Sequence, residues 1–309
     1  MSESRTAGIQ TIFCATDFSD TSELAIRHTA ALARRHDARI VIGHVVEPLP
    51  IEPYPLPMAL PEGEAKVREL AWQRLEDVGE ALRDSGLVVE TQQGIGPPGP
   101  QLVEMACKAE ASVVVIGTRG QTGLQHLLLG STAEYVVRRS TAPVITIHPD
   151  DRETIETPRL VVVPTDLSTD AEVAMEAFID LFDGDHRPKL ELVFADSTPP
   201  YLEAMSHERL AKFHQPDARR EELEKHIAPM VKRLEGHGFE VGLQVLDGDP
   251  VEAVTNVADV EGADLIVMST HGRSALVNAL LGRTAQRVVQ RATCPVLTVC
   301  PKRRRVKSD

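Results

Sequence analysis

The chain has 309 residues, of which 42% are hydrophobic, and it carries a formal net charge of −13. This length predicts two domains of ordinary size or one large one, and the apolar content is enough for a core in each half, which argues against disorder. The negative charge argues against indiscriminate binding to nucleic acid or to an anionic membrane, whereas a small phosphate ligand held by backbone dipoles remains compatible with it.

Targeting and cysteine patterns point to the cytoplasm. The first residues contain no apolar stretch of signal-peptide length, and no apolar run approaches the ~20 residues that span a bilayer. The four cysteines form no CxxC pair and no zinc-like pattern with histidine, and three of them lie inside apolar runs. We therefore expect a cytoplasmic protein whose cysteines are small buried side chains in a reducing compartment.

Apolar runs alternate with helical patterns along the first half of the chain. Residues 12–15 predict a buried strand, and a helix start follows at Asp20, which would cap the helix with Glu23 in a capping box. The further predicted elements are a strand at 40–46, a helix at 65–84, a strand at 88–91, a helix at 100–109, a strand at 113–117, a helix at 131–139 and a strand at 144–147. The alternation predicts a parallel sheet with helices on both faces. Such a doubly wound sheet binds its ligand where the strand order reverses, so the loops after the first and fourth strands are the candidates.

The second half of the chain repeats the first. Residues 117–147 align with residues 269–299 without a gap, 152 positions apart, and roughly half of the aligned residues are identical. A repeat of about 150 residues has the size of a whole domain rather than of a solenoid unit. We expect an α/β protein of two tandem doubly wound domains, each a five-stranded parallel sheet. The expected bounds are 1–150 and 158–302, with a polar, proline-bounded linker at 148–158 and a basic tail at 303–309.

A glycine-rich segment follows the fourth strand of the first copy. It has the pattern Gly-x2-Gly-x9-Gly-Ser, which begins at Gly117, and its last glycine, Gly130, opens a helix. Glycines let the backbone approach a ligand, and free amides at a helix N-terminus suit a phosphate, whose charge Arg119 can neutralise. A structural turn followed by an ordinary helix cap accounts for the same residues. The segment is neither a Walker A loop nor a GxGxxG loop, which argues against a hydride-transfer enzyme.

This pattern, in an α/β domain of this size, resembles the signature of the universal stress protein family. Thr16-Asp17 after the first strand, His44-Val45-Val46 in the second and Pro143-Val144 in the last resemble it as well. The resemblance covers both copies and implies adenine nucleotide alpha-hydrolase-like, Rossmann-like domains that bind ATP or a related adenine nucleotide. It implies that Asp17 faces the ribose, with Thr16 beside it, and that the backbone of Val45 meets the adenine edge. It implies phosphate contacts from Gly117, Arg119, Gly120, Gly130, Ser131 and Thr132. A cap or turn role is the alternative for Asp17.

The second copy departs from the family pattern at three positions. Ser269 replaces the first glycine, His271 replaces the arginine, and Arg283 replaces the serine after the third glycine. The residues that stay within the pattern are Thr165, Asp166, Gly272, Gly282 and Thr284, and Ala195 stands in the place of Val45. Arg283 either contacts phosphate or fills its space, so nucleotide binding by this copy is left open.

No catalytic constellation is found in the sequence. His126 is expected to be an exposed loop residue rather than a base, and His44 a packed histidine rather than a ligand. Asp17 is the one carboxylate that would help to hold Mg²⁺ through the phosphates. We therefore expect a stress-response or regulatory protein that binds ATP and is at most a weak ATPase. The alternatives are a slow ATP hydrolase and an interaction protein whose second copy binds a different ligand or partner.

The last strand of each copy, 144–147 and 296–299, is expected at a sheet edge. Apolar edge strands must be paired or covered, and the linker keeps the two copies close, so we expect them to pair with each other within the chain. Dimerisation of whole chains is a further expectation. The proline-rich segment 47–63 and its counterpart 196–216 are expected to cover their own domains, ahead of serving as lids or partner surfaces. For the basic tail, a solvated end is expected ahead of a nucleic-acid or membrane contact.

Overall fold

The computed structural model describes residues 9–48, 61–120, 129–151, 155–182, 187–196, 216–270 and 281–300. The first copy contains β1 Thr11–Ala15, α1 Asp20–His36, β2 Arg39–Val46, α2 Pro61–Asp84, β3 Val89–Ile95, α3 Pro98–Lys108, β4 Val113–Gly117, α4 Ser131–Arg139 and β5 Val144–Ile147. The second contains β6 Leu160–Pro164, α5 Thr169–Phe182, β7 Lys189–Asp196, α6 Pro216–Gly236, β8 Glu240–Asp247, α7 Pro250–Glu261, β9 Leu265–Ser269, α8 Arg283–Arg291 and β10 Val296–Val299. The order of elements is the same in the two copies, as the duplication predicts.

The ten strands form one sheet in the order β3-β2-β1-β4-β5-β10-β9-β6-β7-β8. Within each copy all neighbouring strands are parallel, which confirms the predicted α/β class with two five-stranded parallel sheets. In each copy the order reverses next to its first strand, between β1 and β4 and between β6 and β9. A doubly wound sheet opens its ligand crevice at such a point, at the carboxyl ends of the strands.

Helices cover both faces of the sheet because both faces of the strands are apolar. Along β1, Ile12 and Cys14 enter one buried cluster, whereas Phe13 and Ala15 enter the other. Alternation of side chains between faces is the geometry of a strand, so a run without polar residues requires cover on both sides. Phe13 is fully buried and lies against Gly43, where a Cβ atom would overlap its ring. Full burial of one such side chain contributes about 2–3 kcal/mol.

The two copies join through their last strands, which confirms the predicted internal pairing. β5 and β10 are antiparallel, with Ile145 opposite Leu297, and both side chains are buried. The hydroxyl of Thr146 donates to the carbonyl of Val296 at 3.3 Å, and the hydroxyl of Thr298 donates to that of Val144 at 3.2 Å. Antiparallel pairing of equivalent strands relates the copies by an approximate twofold axis.

The linker at 148–158 is polar in sequence but partly buried in the structure. His148, Asp151 and Ile155 are buried, whereas residues 152–154 lie outside the described part. Nε2 of His148 donates to the carbonyl of Val289 in the second copy at 2.7 Å, and Asp151 accepts from the backbone amide of His148 at 2.7 Å. These hydrogen bonds hold the linker in the junction between the copies, although His148 Nδ1 and Asp151 Oδ1 are buried with no hydrogen-bond partner among the described residues.

Two smaller predictions are corrected. The cap of α1 is Ser19, whose Oγ accepts from the amide of Ser22, and not Asp20. Glu23 lies one position too far along for a capping box with Ser19, and its amide donates to the Ser19 carbonyl at 2.9 Å. Of the four cysteines, Cys14 and Cys294 are buried as expected, but Cys107 is exposed. Cys107 lies near the end of α3 on the side that faces solvent.

Candidate functional site

The loop after β1 is held in an unusual backbone conformation. Phe18 has a φ of 63°, a left-handed value that costs free energy for a residue with a bulky side chain. The Thr16 hydroxyl accepts from the amide of Phe18 at 3.0 Å, and Asp17 Oδ1 accepts from the amide of Ser19 at 3.1 Å. Thr16 and Asp17 therefore fix the loop from within. Both residues directly follow β1, at the carboxyl edge of the sheet where the strand order reverses.

The second copy repeats this loop closely. Leu167 has a φ of 62°. Its amide donates to the hydroxyl of Thr165 at 3.1 Å, and the amide of Ser168 donates to Asp166 Oδ1 at 3.0 Å. The predicted residues Thr165 and Asp166 thus occupy the positions of Thr16 and Asp17, with the same backbone contacts.

The glycine segment after β4 meets the β1 loop. A Cβ atom on Gly120 would lie 2.6 Å from Oδ2 of Asp17, and one on Gly117 would lie 3.0 Å from the side chain of Thr21 at the start of α1. Real Cβ atoms essentially never make a contact as short as the one at Gly120. The loop can approach the carboxylate this closely because the residue is glycine. The structure therefore brings Asp17, Gly117 and Gly120 together, as the sequence predicts.

Arg119 lies between these glycines and is half-buried. Its Nε atom is buried and has no hydrogen-bond partner among the described residues, while its carbonyl accepts from the Ser19 hydroxyl at 3.5 Å. A buried guanidinium nitrogen without an acceptor costs free energy unless a ligand or water supplies one.

The third glycine places a helix N-terminus at the same edge. Gly130 is the N-cap of α4, its amide donates to the carbonyl of Thr118 at 2.8 Å, and no side chain caps the helix. Ser131 is exposed and Thr132 is half-buried in the first turn. The first amides of a helix have no acceptor within it and carry the positive end of the helix dipole, which favours an anion.

Among the described residues, the end of β2 pairs with a neighbouring strand on one side. β1 stops at Ala15, which is opposite Gly43, and β2 continues to Val46 while pairing on its other side with β3. Val45 lies in this extension with its side chain buried. Its counterpart Ala195 lies in the matching extension of β7 beyond Pro164, which is opposite Val193.

The second copy keeps the backbone of the glycine loop where the structure describes it. Gly282 caps α8 without a side-chain cap, and its amide donates to the carbonyl of Thr270 at 2.8 Å, as Gly130 does to Thr118. Arg283 is exposed in the first turn of α8, Thr284 follows it half-buried, and Ser269 ends β9. His271 and Gly272 lie outside the described residues.

An aromatic stack supports the β1 loop and has no simple sequence signal. The Phe18 ring contacts the His44 ring, which is tilted by 36° at 4.4 Å between centroids, and the Arg74 guanidinium, at 4.7 Å from the ring centre. Arg74 also donates to the Phe18 carbonyl at 3.3 Å, and His44 Nδ1 donates to the carbonyl of Thr16 at 2.9 Å. Burial lowers the pKa of His44, which keeps the ring neutral near pH 7. His44 is thus a packed histidine, as expected.

Several residues that the sequence analysis singled out lie outside the described part of the chain. His126, the basic tail and most of the segments 47–63 and 196–216 lie outside the described residues. Within the part of the chain that is described, no group of three or more His, Cys, Asp or Glu side chains is arranged to hold a metal ion, and no helix has both the length and the apolarity to cross a membrane.

Fold and site together define a duplicated, doubly wound α/β protein with a glycine loop and a helix N-terminus at the switch point of its sheet. The universal stress protein family matches the chain twice, at residues 8–148 and 158–299, so the chain belongs to this family. A universal stress protein of Mycolicibacterium smegmatis is 28% identical over 302 residues, which are 94% of this chain and 97% of that protein. One from Methanocaldococcus jannaschii is 31% identical over 138 residues, 45% of this chain and 81% of its own.

A solved structure shares the tandem fold. The crystal structure of a universal stress protein from Archaeoglobus fulgidus superimposes with a TM-score of 0.68 and 18% identity, over 94% of this chain and 98% of that one. At this identity the likeness concerns the fold alone. It agrees with two family domains arranged in one chain.

Proposed function

We propose that the first copy binds an adenine nucleotide, with ATP as the leading candidate, and that the chain is a regulatory stress protein rather than an enzyme. The observation that carries the proposal is the approach of Gly120 to the Asp17 carboxylate, which joins the two loops at the switch point. The family resemblance implies a nucleotide at this place. On this proposal residues 1–150 and 158–302 are the two domains, and the protein acts in the cytoplasm.

The described residues fit a nucleotide chemically. The uncapped N-terminus of α4 offers amides to an anion, and the orphaned Nε of Arg119 lacks an acceptor that a phosphate oxygen would provide. Phosphates are therefore assigned to Gly117, Arg119, Gly120, Gly130, Ser131 and Thr132. Bound ATP would bring an accompanying Mg²⁺ ion, for which Asp17 is the nearest assigned carboxylate.

The remaining assignments concern the nucleoside. Asp17, which follows the strand at the switch point, is assigned to the ribose hydroxyls with Thr16 beside it. The backbone of Val45 on the side away from β3 is assigned to the adenine edge, since amide and carbonyl groups recognise a base through hydrogen bonds whichever side chain the residue carries.

The second copy is proposed to bind nucleotide more weakly. It shares the β1-type loop and the uncapped helix, through Thr165, Asp166, Gly282 and Thr284. Its differences are Ser269, Arg283 and His271, and Arg283 places an exposed cation at the helix N-terminus. This cation supports a second candidate function, in which the copy binds a different anionic ligand or partner. The same proposal assigns Ala195, Gly272 and His271 to the ligand site of the second copy.

Slow or negligible hydrolysis follows from the chemistry of Asp17. A general base must be positioned to take the proton of an attacking water, and Asp17 is assigned to the ribose instead, with its Oδ1 accepting from the amide and the hydroxyl of Ser19. ATP would thus be held rather than turned over.

We also propose that whole chains pair into a homodimer, without a contribution to the nucleotide site.

The test is to identify the small molecule that co-purifies with the protein. The chain and a Gly130→Glu variant are purified in parallel and denatured, and the released small molecules are measured by mass spectrometry. We expect ATP or a related adenine nucleotide from the unaltered chain and little from the variant. Equal release from both, or no nucleotide from a chain that also fails to bind added ATP, would contradict the proposal.

A further inference from the structure

An open groove runs along the outer edge of the second copy, between β8 and α7. Its volume is about 440 Å³, and none of its lining residues belongs to the proposed nucleotide sites. The floor is apolar and is lined by Leu246, Ala253 and Val257. Val260, which is 85% exposed, extends this apolar lining to the surface.

The first copy fills the equivalent space. There a Cβ atom on Gly94 would lie 2.9 Å from Cε of Met105 and 3.2 Å from Oε1 of Gln101, so these two long side chains cover the strand. At the separation of 152 positions that relates the copies, Ala253 stands for Gln101 and Val257 for Met105. Leu246 in turn stands for Gly94, so the second copy carries its bulk on the strand and lines the helix side of the groove with short side chains.

The groove lies beside an open strand edge. β8 is the last strand in the sheet order, and among the described residues its partner is β7, on one side. An edge strand presents unpaired amide and carbonyl groups on its outer side, and extended peptides add to such edges by main-chain hydrogen bonds. The side chains of Gln244 and Leu246 point from β8 into the groove, so an added strand would place its own side chains there too.

The rim of the groove is acidic. Its carboxylates are Asp247, Asp249, Glu252 and Glu261, and the described residues that line the groove include no lysine or arginine. From outside the lining, Arg287 pairs with Asp249 at 2.8 Å, and this contact lowers the pKa of that carboxyl and keeps it ionised. Glu261 accepts from Gln244. An occupant must then offer cations at the rim and an aliphatic stem on the floor, which describes lysine and arginine side chains.

We propose that β8 and this groove bind an extended, lysine- and arginine-rich segment of a partner protein, which adds to the sheet as an outer strand. Main-chain pairing with β8 orients the bound segment. The groove then selects a long cationic side chain, whose charge lies at the carboxylates and whose stem lies on the floor of Leu246 and Val257. The inference is independent of the proposed nucleotide function, because it uses none of the residues assigned to phosphate or nucleoside. It gives the second copy a role that the first copy lacks.

The test uses a fluorescent peptide of alternating lysine and valine, as long as β8, and measures its anisotropy with the full chain. The double variant Ala253→Gln/Val257→Met places the two long side chains of the first copy over Leu246 and is designed to fill the groove. We expect it to weaken binding by at least about tenfold. A second variant, Glu252→Gln/Glu261→Gln, leaves the groove open and is expected to weaken binding less, with a loss that shrinks in salt. The matched control is Glu104→Gln on the first copy, which is expected to leave binding unchanged.

Three outcomes would overturn the proposal. One is no binding of the peptide by the unaltered chain, and another is equal binding by the filled variant while circular dichroism shows it folded. The third is binding that begins only when the chain is cut after Cys300, because the chain's own basic tail would then be the occupant. A peptide in which glutamate replaces lysine should not bind, and tight binding of that peptide would contradict the assigned charge.

Discussion

Gly120 is the residue at which the proposed site is most sensitive to a single methyl group. An alanine there would place its Cβ 2.6 Å from Oδ2 of Asp17, and the carboxylate side chain is the part that can move. We expect Gly120→Ala to leave the fold intact but to weaken ATP binding about tenfold, a loss of about 1.4 kcal/mol. Titration calorimetry measures the affinity. The control is Gly236→Ala, where a Cβ meets nothing within 4 Å, and equal affinities of the two variants would be inconsistent with the site.

The titration of His28 is expected to lower stability in acid. It is fully buried on α1, its Nδ1 accepts from the amide of Ile155 at 3.3 Å, and its Nε2 has no partner among the described residues. Burial, assisted by the positive charge of Arg27, lowers its pKa from 6.5 to about 4. The unfolded chain therefore takes up a proton on this ring at a higher pH than the folded chain does. The stabilisation is complete above pH 6.5 and is lost as the pH falls towards 4, to a total of about 3 kcal/mol.

Urea unfolding at a series of pH values tests the role of His28. The variant His28→Gln keeps a hydrogen-bond acceptor but has no group that titrates in this range. We expect the unaltered chain to lose about 3 kcal/mol more than the variant between pH 7 and 4. The exposed His237→Gln serves as a control that should follow the unaltered chain. Parallel curves for all three proteins would refute this account of acid destabilisation.

Among the helices and strands, the N-cap of α1 is a point where the structure differs from the sequence prediction. Ser19 caps the helix with its Oγ and also donates to Asp17 at 2.6 Å, whereas Asp20 is exposed in the first turn. We expect Ser19→Ala to cost at least about 1 kcal/mol of unfolding free energy. Asp20→Ala should cost about 0.3 kcal/mol, through the helix dipole alone. Denaturant unfolding decides between them, and a larger loss for Asp20→Ala would restore the capping box at that residue.

The strands that the sequence predicts well are the ones buried on both faces. β1, β4 and β5 are continuous apolar runs, and their observed bounds lie within a residue of the predicted ones. β3 is longer than predicted, because it is an edge strand whose half-exposed glutamines pair through the backbone with β2. A polar side chain does not prevent pairing at an edge, so hydrophobic periodicity underestimates such strands.

Two of the three glycine positions, Gly120 and Gly130, were predictable because the second copy repeats them as Gly272 and Gly282. The support for the β1 loop was not, since Arg74 and Phe18 are far apart in sequence and meet through the packing of α2 on the sheet. The left-handed conformation of Phe18 and Leu167 has no residue signature either. Local patterns identify the backbone of the site, whereas the contacts that hold it depend on tertiary structure.

At the scale of the whole molecule, β5 and β10 lie in the middle of a ten-stranded sheet and β3 and β8 at its ends. Backbone amides at the centre of a sheet open by large unfolding events, whereas edge amides open locally. Hydrogen exchange followed by mass spectrometry should therefore find β5 and β10 among the slowest segments and the outer strands faster. If the copies docked through another surface, β5 and β10 would be edges too and would exchange as fast as β3.

The central claim is that the first copy is the nucleotide-binding one, and calorimetry with ATP on two matched variants tests it most directly. A Cβ on Gly130 would lie 3.4 Å from the carbonyl of Thr118, an ordinary contact, so Gly130→Glu alters the anion site while the fold tolerates it. Gly282→Glu is the same change at the cap of α8. We predict that Gly130→Glu abolishes measurable binding and that Gly282→Glu changes the affinity by less than about threefold. Loss of binding with Gly282→Glu alone would contradict the account.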